Sequence, residues 1–413
     1  MKISTINAFL YIIIFLNLNG FYLINSNVIP VSDICILVEM AFGVYVYLKY
    51  RRKIKYRYGN LIFATVLLVI FSAVSAYYNF DGQPILLGIR PQRFWLINML
   101  MYFPILKLIK TDVLDKERIF KIIDNVVVIY SVIILVQYFV GTNYRFMYVL
   151  SNERYGSIRL YVSSTFLVIA FFYHLNNLLD GKKIRTIDLL AIGAAIFVLL
   201  FVAKSRMRII AFLGASILFI CSKRLTKRKI LIIALCIIGI CAFFSTDMSQ
   251  DIWNMVTGVG SSINDTSEIR DEGRAFYITA NTQSWLRFVF GSGYPNMDWS
   301  SSYLLSGAAY NIFYNDNGII GLFFCYGILF VLWGIKISFK NLYWGIKGNV
   351  SFLAYYAIYG LLGSFTLFPC FYVTDISFAL LCAITETEYE KQQIMQNLEG
   401  LNQYNKSYVT EDD

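Results

Sequence analysis

The stretch AYNIFYNDNGIIGLFFCYGILF, residues 309–330, begins with polar side chains and ends as an unbroken apolar run. Asn311, Asn315, Asp316 and Asn317 crowd the entrance to a segment suited to a lipid bilayer. Two readings compete. The four side chains cap a helix as it leaves water, or they line the mouth of a site at the membrane surface.

Composition decides the class. Hydrophobic residues make up 58% of the 413 and charged residues only 15%, with a mean hydropathy of +0.59. These values lie outside the range of a soluble domain. Apolar runs close to the roughly 20 residues needed to cross hydrocarbon recur along the chain, separated by charged clusters. They predict an all-α polytopic membrane protein of about twelve transmembrane helices, over 5–24, 31–50, 60–78, 94–108, 119–140, 160–179, 187–203, 209–221, 230–245, 317–337, 350–367 and 371–385. The eighth is short for a full span and reads as tilted or re-entrant. The chain thus divides into helices one to nine (1–245), a long loop (246–316), helices ten to twelve (317–385) and a polar tail (386–413).

The first apolar run has no small-residue cleavage pattern and reads as a span rather than a signal peptide. The seven cysteines fall mostly inside spans, in neither a disulfide framework nor a metal-ligand spacing; they read as small buried apolar residues. No metal and no cofactor are expected. The single histidine, His174, stands near the cytoplasmic end of the sixth span, where packing is the simplest role.

Charge orients the bundle. Basic clusters at 49–55, 107–121, 180–185, 222–229 and 336–347 fall on alternate loops, which the positive-inside rule assigns to the cytoplasm together with both termini. The tail 386–413 is polar and reads as a solvated cytoplasmic extension. On the opposite loops stand Arg90, Arg93, Arg145, Arg154, Arg159, Arg206, Arg208, Arg270, Arg274 and Arg287 against the one lysine Lys204, whereas lysine outnumbers arginine inside. A topology signal is indifferent to the choice of cation. A planar guanidinium fork matches phosphate oxygens and desolvates more easily than an ammonium. The outer face is therefore expected to hold phosphate, although pairing with lipid headgroups or with Glu153, Glu268, Asp271 and Glu272 also accounts for some of these charges.

The long outer loop concentrates aromatic residues, including three of the six tryptophans, Trp253, Trp285 and Trp299. Their flat faces suit sugar rings and equally suit the membrane interface. Its segment SEIRDEGRAFYITANTQSWLRF, 267–288, predicts a helix capped by Ser267, with Arg270 and Arg274 four apart on one face and spaced to grip neighbouring phosphates. FGSGYPN, 290–296, follows as a Gly-Pro turn; no Walker-type lysine succeeds it, so it is no nucleotide loop, and no nucleic acid is expected as a partner.

An outer loop with arginines and a tryptophan-bearing helix, then FGSGYPN, then YNIFYNDNGIIGLFFCYGI entering a span, resembles the O-antigen polymerase and O-antigen ligase superfamily. The hairpin AKSRMR, 203–208, is similar to that family's Ser-Arg turn. The resemblance implies a GT-C-like, metal-independent glycosyltransferase in the bacterial plasma membrane, acting on glycans linked to undecaprenyl diphosphate. A chain-length regulator and a flippase are its implied partners. A ligase signature has a His-Asn pair where this chain has Tyr310-Asn311, so a Wzy-type polymerase of O-antigen, capsule or exopolysaccharide is the preferred member. Arg206, Arg270 and Arg274 are the expected diphosphate clamps, with Arg90, Arg93 and Arg287 as second choices. Glu272, Asp298 and Asp316 are candidate bases, and Trp285, Tyr310, Asn311 and Asn315 are candidate sugar contacts. A ligase or a lipid-linked oligosaccharide flippase is the alternative. Transport favours ionisable groups deep in the bilayer, of which Glu39 is the clearest.

Overall fold

The computed structural model describes residues 4–26, 28–141, 144–154, 157–223, 226, 229–230 and 263–409. The ninth expected span beyond residue 230, and the long loop as far as residue 262 with Trp253, lie outside the described residues. Helices α1 (Thr5–Asn17), α2 (Val31–Lys49), α3 (Gly59–Asn79), α4 (Ile85–Ile89), α5 (Arg93–Leu100), α6 (Tyr102–Lys110), α7 (Lys116–Val140), α8 (Thr165–Leu179), α9 (Thr186–Phe197) and α10 (Arg206–Ser222) precede that gap. After it come α11 (Ile263–Thr282), α12 (Trp285–Phe290), α13 (Ser300–Leu305), α14 (Gly318–Lys347), α15 (Ser351–Leu362) and α16 (Ser377–Val409). Strands β1 (Ser151–Arg154) and β2 (Ser157–Leu160) form one antiparallel hairpin with Ser151 opposite Leu160.

Among the described residues, five helices are long and apolar enough to cross a membrane: Val31–Lys49, Gly59–Asn79, Lys116–Val140, Thr186–Ala203 and Tyr314–Lys347. On α3, Phe63, Leu67 and Phe71 are exposed, whereas Thr65 and Ser72 are buried. The Ser72 hydroxyl donates to the Cys325 carbonyl at 2.8 Å, a use of small polar side chains as interhelical contacts that suits a lipid surround.

Several expected boundaries shift, each for a local reason. The first helix ends at Asn17 because residues 19–22 take positive φ. Residues 94–108 divide between α5 and α6, and the sixth helix starts at Thr165 because residues 157–160 join a strand instead. Ser267, expected as a cap, lies inside α11, which already begins at Ile263. The tail departs most. Expected as a solvated extension, it continues the last helix to Val409. Fully buried Glu386 accepts from the Arg57 and Tyr58 amides, the Tyr102 hydroxyl at 2.5 Å and Lys110 Nζ at 2.7 Å. Glu388 pairs with Lys116 at 2.9 Å and Glu390 with Arg57 at 2.7 Å. The first acids of the tail, Glu386, Glu388 and Glu390, are thus held by the basic residues Arg57, Lys110 and Lys116.

FGSG, read as a turn, is a wedge. Inside α14, Gly327 takes φ 72° and ψ −169°, breaking the helix, because residues 289–293 press against it: a Cβ at Gly327 would lie 2.3 Å from the Val289 carbonyl oxygen. The break interrupts the helical ladder around Phe323 and Phe324. Their carbonyls accept instead from Asn281 Nδ2 at 2.6 Å and from the Ser292 amide at 2.7 Å, so no buried acceptor is left orphaned. On the wedge's other side Gly293, at φ 104°, sits so close to α3 that a Cβ would meet the Ala76 amide nitrogen at 2.2 Å. Gly293→Ala is expected to destabilise the fold by about 2–3 kcal/mol through overpacking and backbone strain. Thermal unfolding of the purified variant checks this; a melting temperature equal to wild type would refute the close packing. Gly318 and Gly321 likewise admit neighbouring backbone, with the Ser364 and Tyr314 carbonyls each 2.0 Å from an added Cβ.

His174 does more than pack. It is fully buried, with Nδ1 2.6 Å from Asp188 Oδ1 and Nε2 2.7 Å from Asp124 Oδ1, so one imidazole ties α7, α8 and α9 together. Arg185 adds a guanidinium 3.0 Å from the same Asp188 oxygen.

Candidate functional site

At one end of the bundle the chain leaves a cavity of about 1230 Å³. Its first wall is the extended segment 159–165, fixed by two tyrosines: the Ser163 amide donates to the Tyr22 hydroxyl at 3.1 Å, and the Tyr130 hydroxyl donates to the Ser163 carbonyl at 3.0 Å. Arg159 on this wall donates through Nε to the Ala203 carbonyl at 2.9 Å and lies 4.2 Å from the Tyr161 ring centre, a cation held over an aromatic face.

The bond to Ala203 ties the hairpin to the next element. Ala203 ends a π-helical segment, Val198–Ala203, that closes the ninth helix, and Lys204 turns the chain at φ 43°. Ser205 and the first turn of α10 follow, carrying Arg206 and Arg208 into the cavity. Cations at a helix N-terminus oppose the positive end of the macrodipole, at a cost of about 0.3–1 kcal/mol each. Arg208 NH1 donates to the Val162 carbonyl at 3.3 Å, and its charge lowers the Tyr22 hydroxyl, although burial leaves that group above its ordinary range.

The third wall comes from the long loop and the following helices. Arg270 reaches the cavity from α11, beside Asn315 and Asp316 on the short turn Tyr314–Asn317. Among the described residues, no carboxylate lies within ion-pair distance of Arg208 or Arg270. Tyr356, Tyr372 and the loop 363–375 close the space. Tyr372 belongs to an aromatic block with Trp95, Tyr326 and Phe330, ring centres 4.6–5.8 Å apart from Tyr372, which gives the cavity a stiff base.

Asp375 also lines the cavity. It is 7% exposed and accepts from the Ser377 amide at 2.9 Å. Burial raises its carboxyl above the ordinary range, against hydrogen bonds from Ser377 and Thr165 that lower it.

Of the expected residues, Arg206, Arg270, Asn315 and Asp316 converge here, joined by Arg159 and Arg208. Arg274 does not: one helical turn along from Arg270, it pairs with Asp271 at 2.6 Å. Arg93 pairs with Asp33 at 2.5 Å, and Arg90 and Glu272 are exposed away from the cavity lining. Asp298 is exposed and donates its amide to Asn296 at 2.9 Å. Arg287 belongs to a separate groove on α3. Trp285 and Tyr310 are 72% and 73% exposed outside the cavity lining, and Asn311 caps a turn at φ 60°. Asn317 is buried, donating to the Phe313 carbonyl at 3.0 Å. The polar cluster of residues 311–317 thus divides, two members lining the cavity and two serving turns. Asp375 was not among the expected site residues: within the expected span 371–385 it read only as an ionisable group near a span end.

The fold and site define a helical protein with membrane-spanning helices and an arginine-lined cavity. No protein-family model and no curated protein sequence matches the chain.

Proposed function

We propose that this protein is a GT-C-like polysaccharide polymerase. It moves a growing glycan from undecaprenyl diphosphate onto a lipid-linked repeat unit at the outer face of the bacterial plasma membrane, with both termini in the cytoplasm. The observation that carries the reading is the gathering of Arg159, Arg206, Arg208 and Arg270, from three separate parts of the chain, on one cavity at the bundle's end.

The chemistry follows from the leaving group. The acceptor hydroxyl oxygen attacks the anomeric carbon, the bond from that carbon to the diphosphate oxygen breaks, and the diphosphate departs with the electron pair. Negative charge grows on the diphosphate as the bond lengthens, so guanidinium groups fixed around it stabilise the transition state more than the ground state. The acceptor proton passes to a carboxylate, for which Asp375 and Asp316 are, among the described residues, the acids lining the cavity. Asn315 binds sugar hydroxyls.

A second reading, transport of the lipid-linked unit, draws support from the buried ionisable groups: Glu39, fully buried with Oε2 unpartnered, and the Asp124, His174 and Asp188 set. Such groups inside a bilayer mark proton-coupled pathways. Cells lacking the protein separate the two. A polymerase leaves single lipid-linked repeats accumulating on the outer leaflet, while a transporter leaves them on the inner leaflet. Purified protein in vesicles with lipid-linked repeats should build a ladder of longer chains without added nucleotide; no ladder and inner-leaflet accumulation would overturn the proposal.

A further inference from the structure

We infer that a second, independent lipid site lies on the outside of the bundle: the groove between α3 and α12 holds one anionic phospholipid, with its phosphate on Arg287 and an acyl chain along α3. The groove encloses about 640 Å³. One wall is Phe71, Val74, Ser75, Tyr78 and Asn79, spaced i, i+3, i+4, i+7 and i+8 and therefore one face of a membrane-crossing helix. The other wall is Leu286, Arg287 and Phe290 of α12, with the Phe71 and Phe290 rings 5.2 Å apart.

Geometry and charge select the occupant. From Phe71 to Asn79 the wall runs about 12 Å along the helix axis, close to the depth of one hydrocarbon leaflet, about 15 Å. Phe71, Tyr78 and Leu286 are 42%, 77% and 50% exposed, so the wall is apolar and open along its length. At its upper end stands the cation. Arg287 Nε donates to Asn79 Oδ1 at 2.8 Å, and NH1 reaches Gln283 Oε1 at 3.4 Å. Asn79 is itself held, its Nδ2 donating to the Ser292 carbonyl at 3.2 Å. The guanidinium is therefore oriented by neutral amides, and among the described residues no carboxylate pairs with it. A fixed, half-buried cation at the head of an apolar channel matches a phosphate with a hydrocarbon tail. This site does not depend on the reaction proposed above, because none of its residues lines the arginine cavity.

The test uses the full-length protein purified in detergent and titrated with phosphatidylglycerol, phosphatidylcholine or inorganic phosphate, reading bound lipid by native mass spectrometry and stability by thermal unfolding. Wild type should retain one phosphatidylglycerol in preference to phosphatidylcholine and melt higher when it is bound, while inorganic phosphate has no effect. Arg287→Gln, which keeps the amide contacts but removes the charge, should weaken phosphatidylglycerol about tenfold and erase the preference. Ser75→Trp, which fills the channel, should abolish retention of both lipids. Wild-type retention by Arg287→Gln would mean non-specific surrounding lipid and would overturn the inference. An equal response to inorganic phosphate would also overturn it, since the chain would then contribute nothing.

Discussion

Arg206→Ala and Arg270→Ala should each slow glycan transfer by about two to three orders of magnitude, the usual loss when one preorganised donor to a developing charge is removed. Both side chains line the cavity, one from the first turn of α10 and the other from α11. Lysine in their place should recover only part of the rate, because an ammonium is a point charge without the fork that engages two phosphate oxygens. Arg274→Ala is the internal control. It lies four residues from Arg270 yet pairs with Asp271 at 2.6 Å, so its loss should cost less than about threefold, in the range of surface ion pairs. The readout is chain-length distribution and initial rate with purified protein and lipid-linked repeats. Should Arg274→Ala prove as damaging as Arg270→Ala, or both cavity variants make polymer at the wild-type rate, the cavity is not where the diphosphate is held.

His174→Ala should destabilise the fold by about 3–5 kcal/mol, the range found when one member of a buried charged set is removed. The imidazole is fully buried, with carboxylate oxygens at 2.6 and 2.7 Å on its two nitrogens. Without it, Asp124 and Asp188 share an apolar space with no donor between them, and Arg185 reaches only Asp188. Thermal unfolding in detergent gives the loss. Adding Asp124→Asn to His174→Ala should restore part of it, since a neutral amide removes the carboxylate that Arg185 does not reach. If His174→Ala melts as wild type does, the three helices are not held by this contact; if the second substitution restores nothing, the penalty is a packing void rather than electrostatics.

How far the site was legible depended on what each residue's partner was. Arg206 was legible because a Ser-Arg turn sits between two apolar runs, and Arg270 because arginine replaces lysine on one set of loops. The difference between Arg270 and Arg274 was not, since helical spacing puts both on one face and says nothing of which one meets Asp271 first. Arg159 and Arg208 were counted among the arginines of the expected outer loops but not singled out, because their placement rests on backbone carbonyls at Ala203 and Val162 that no pattern of side chains records.

The chain's apolar runs and their lengths determined by themselves that this is a helical membrane protein, because water and hydrocarbon act on each segment separately. Contacts far apart in sequence were decided only by the fold. Glu386 looked like part of a polar tail until Tyr102 and Lys110, some 280 positions away, surrounded it; FGSG looked like a turn until Ala76 and Gly327 closed on it. The site belongs to the same kind. A guanidinium's role is set by whichever oxygen comes within about 3 Å, and that depends on how the helices pack rather than on local sequence.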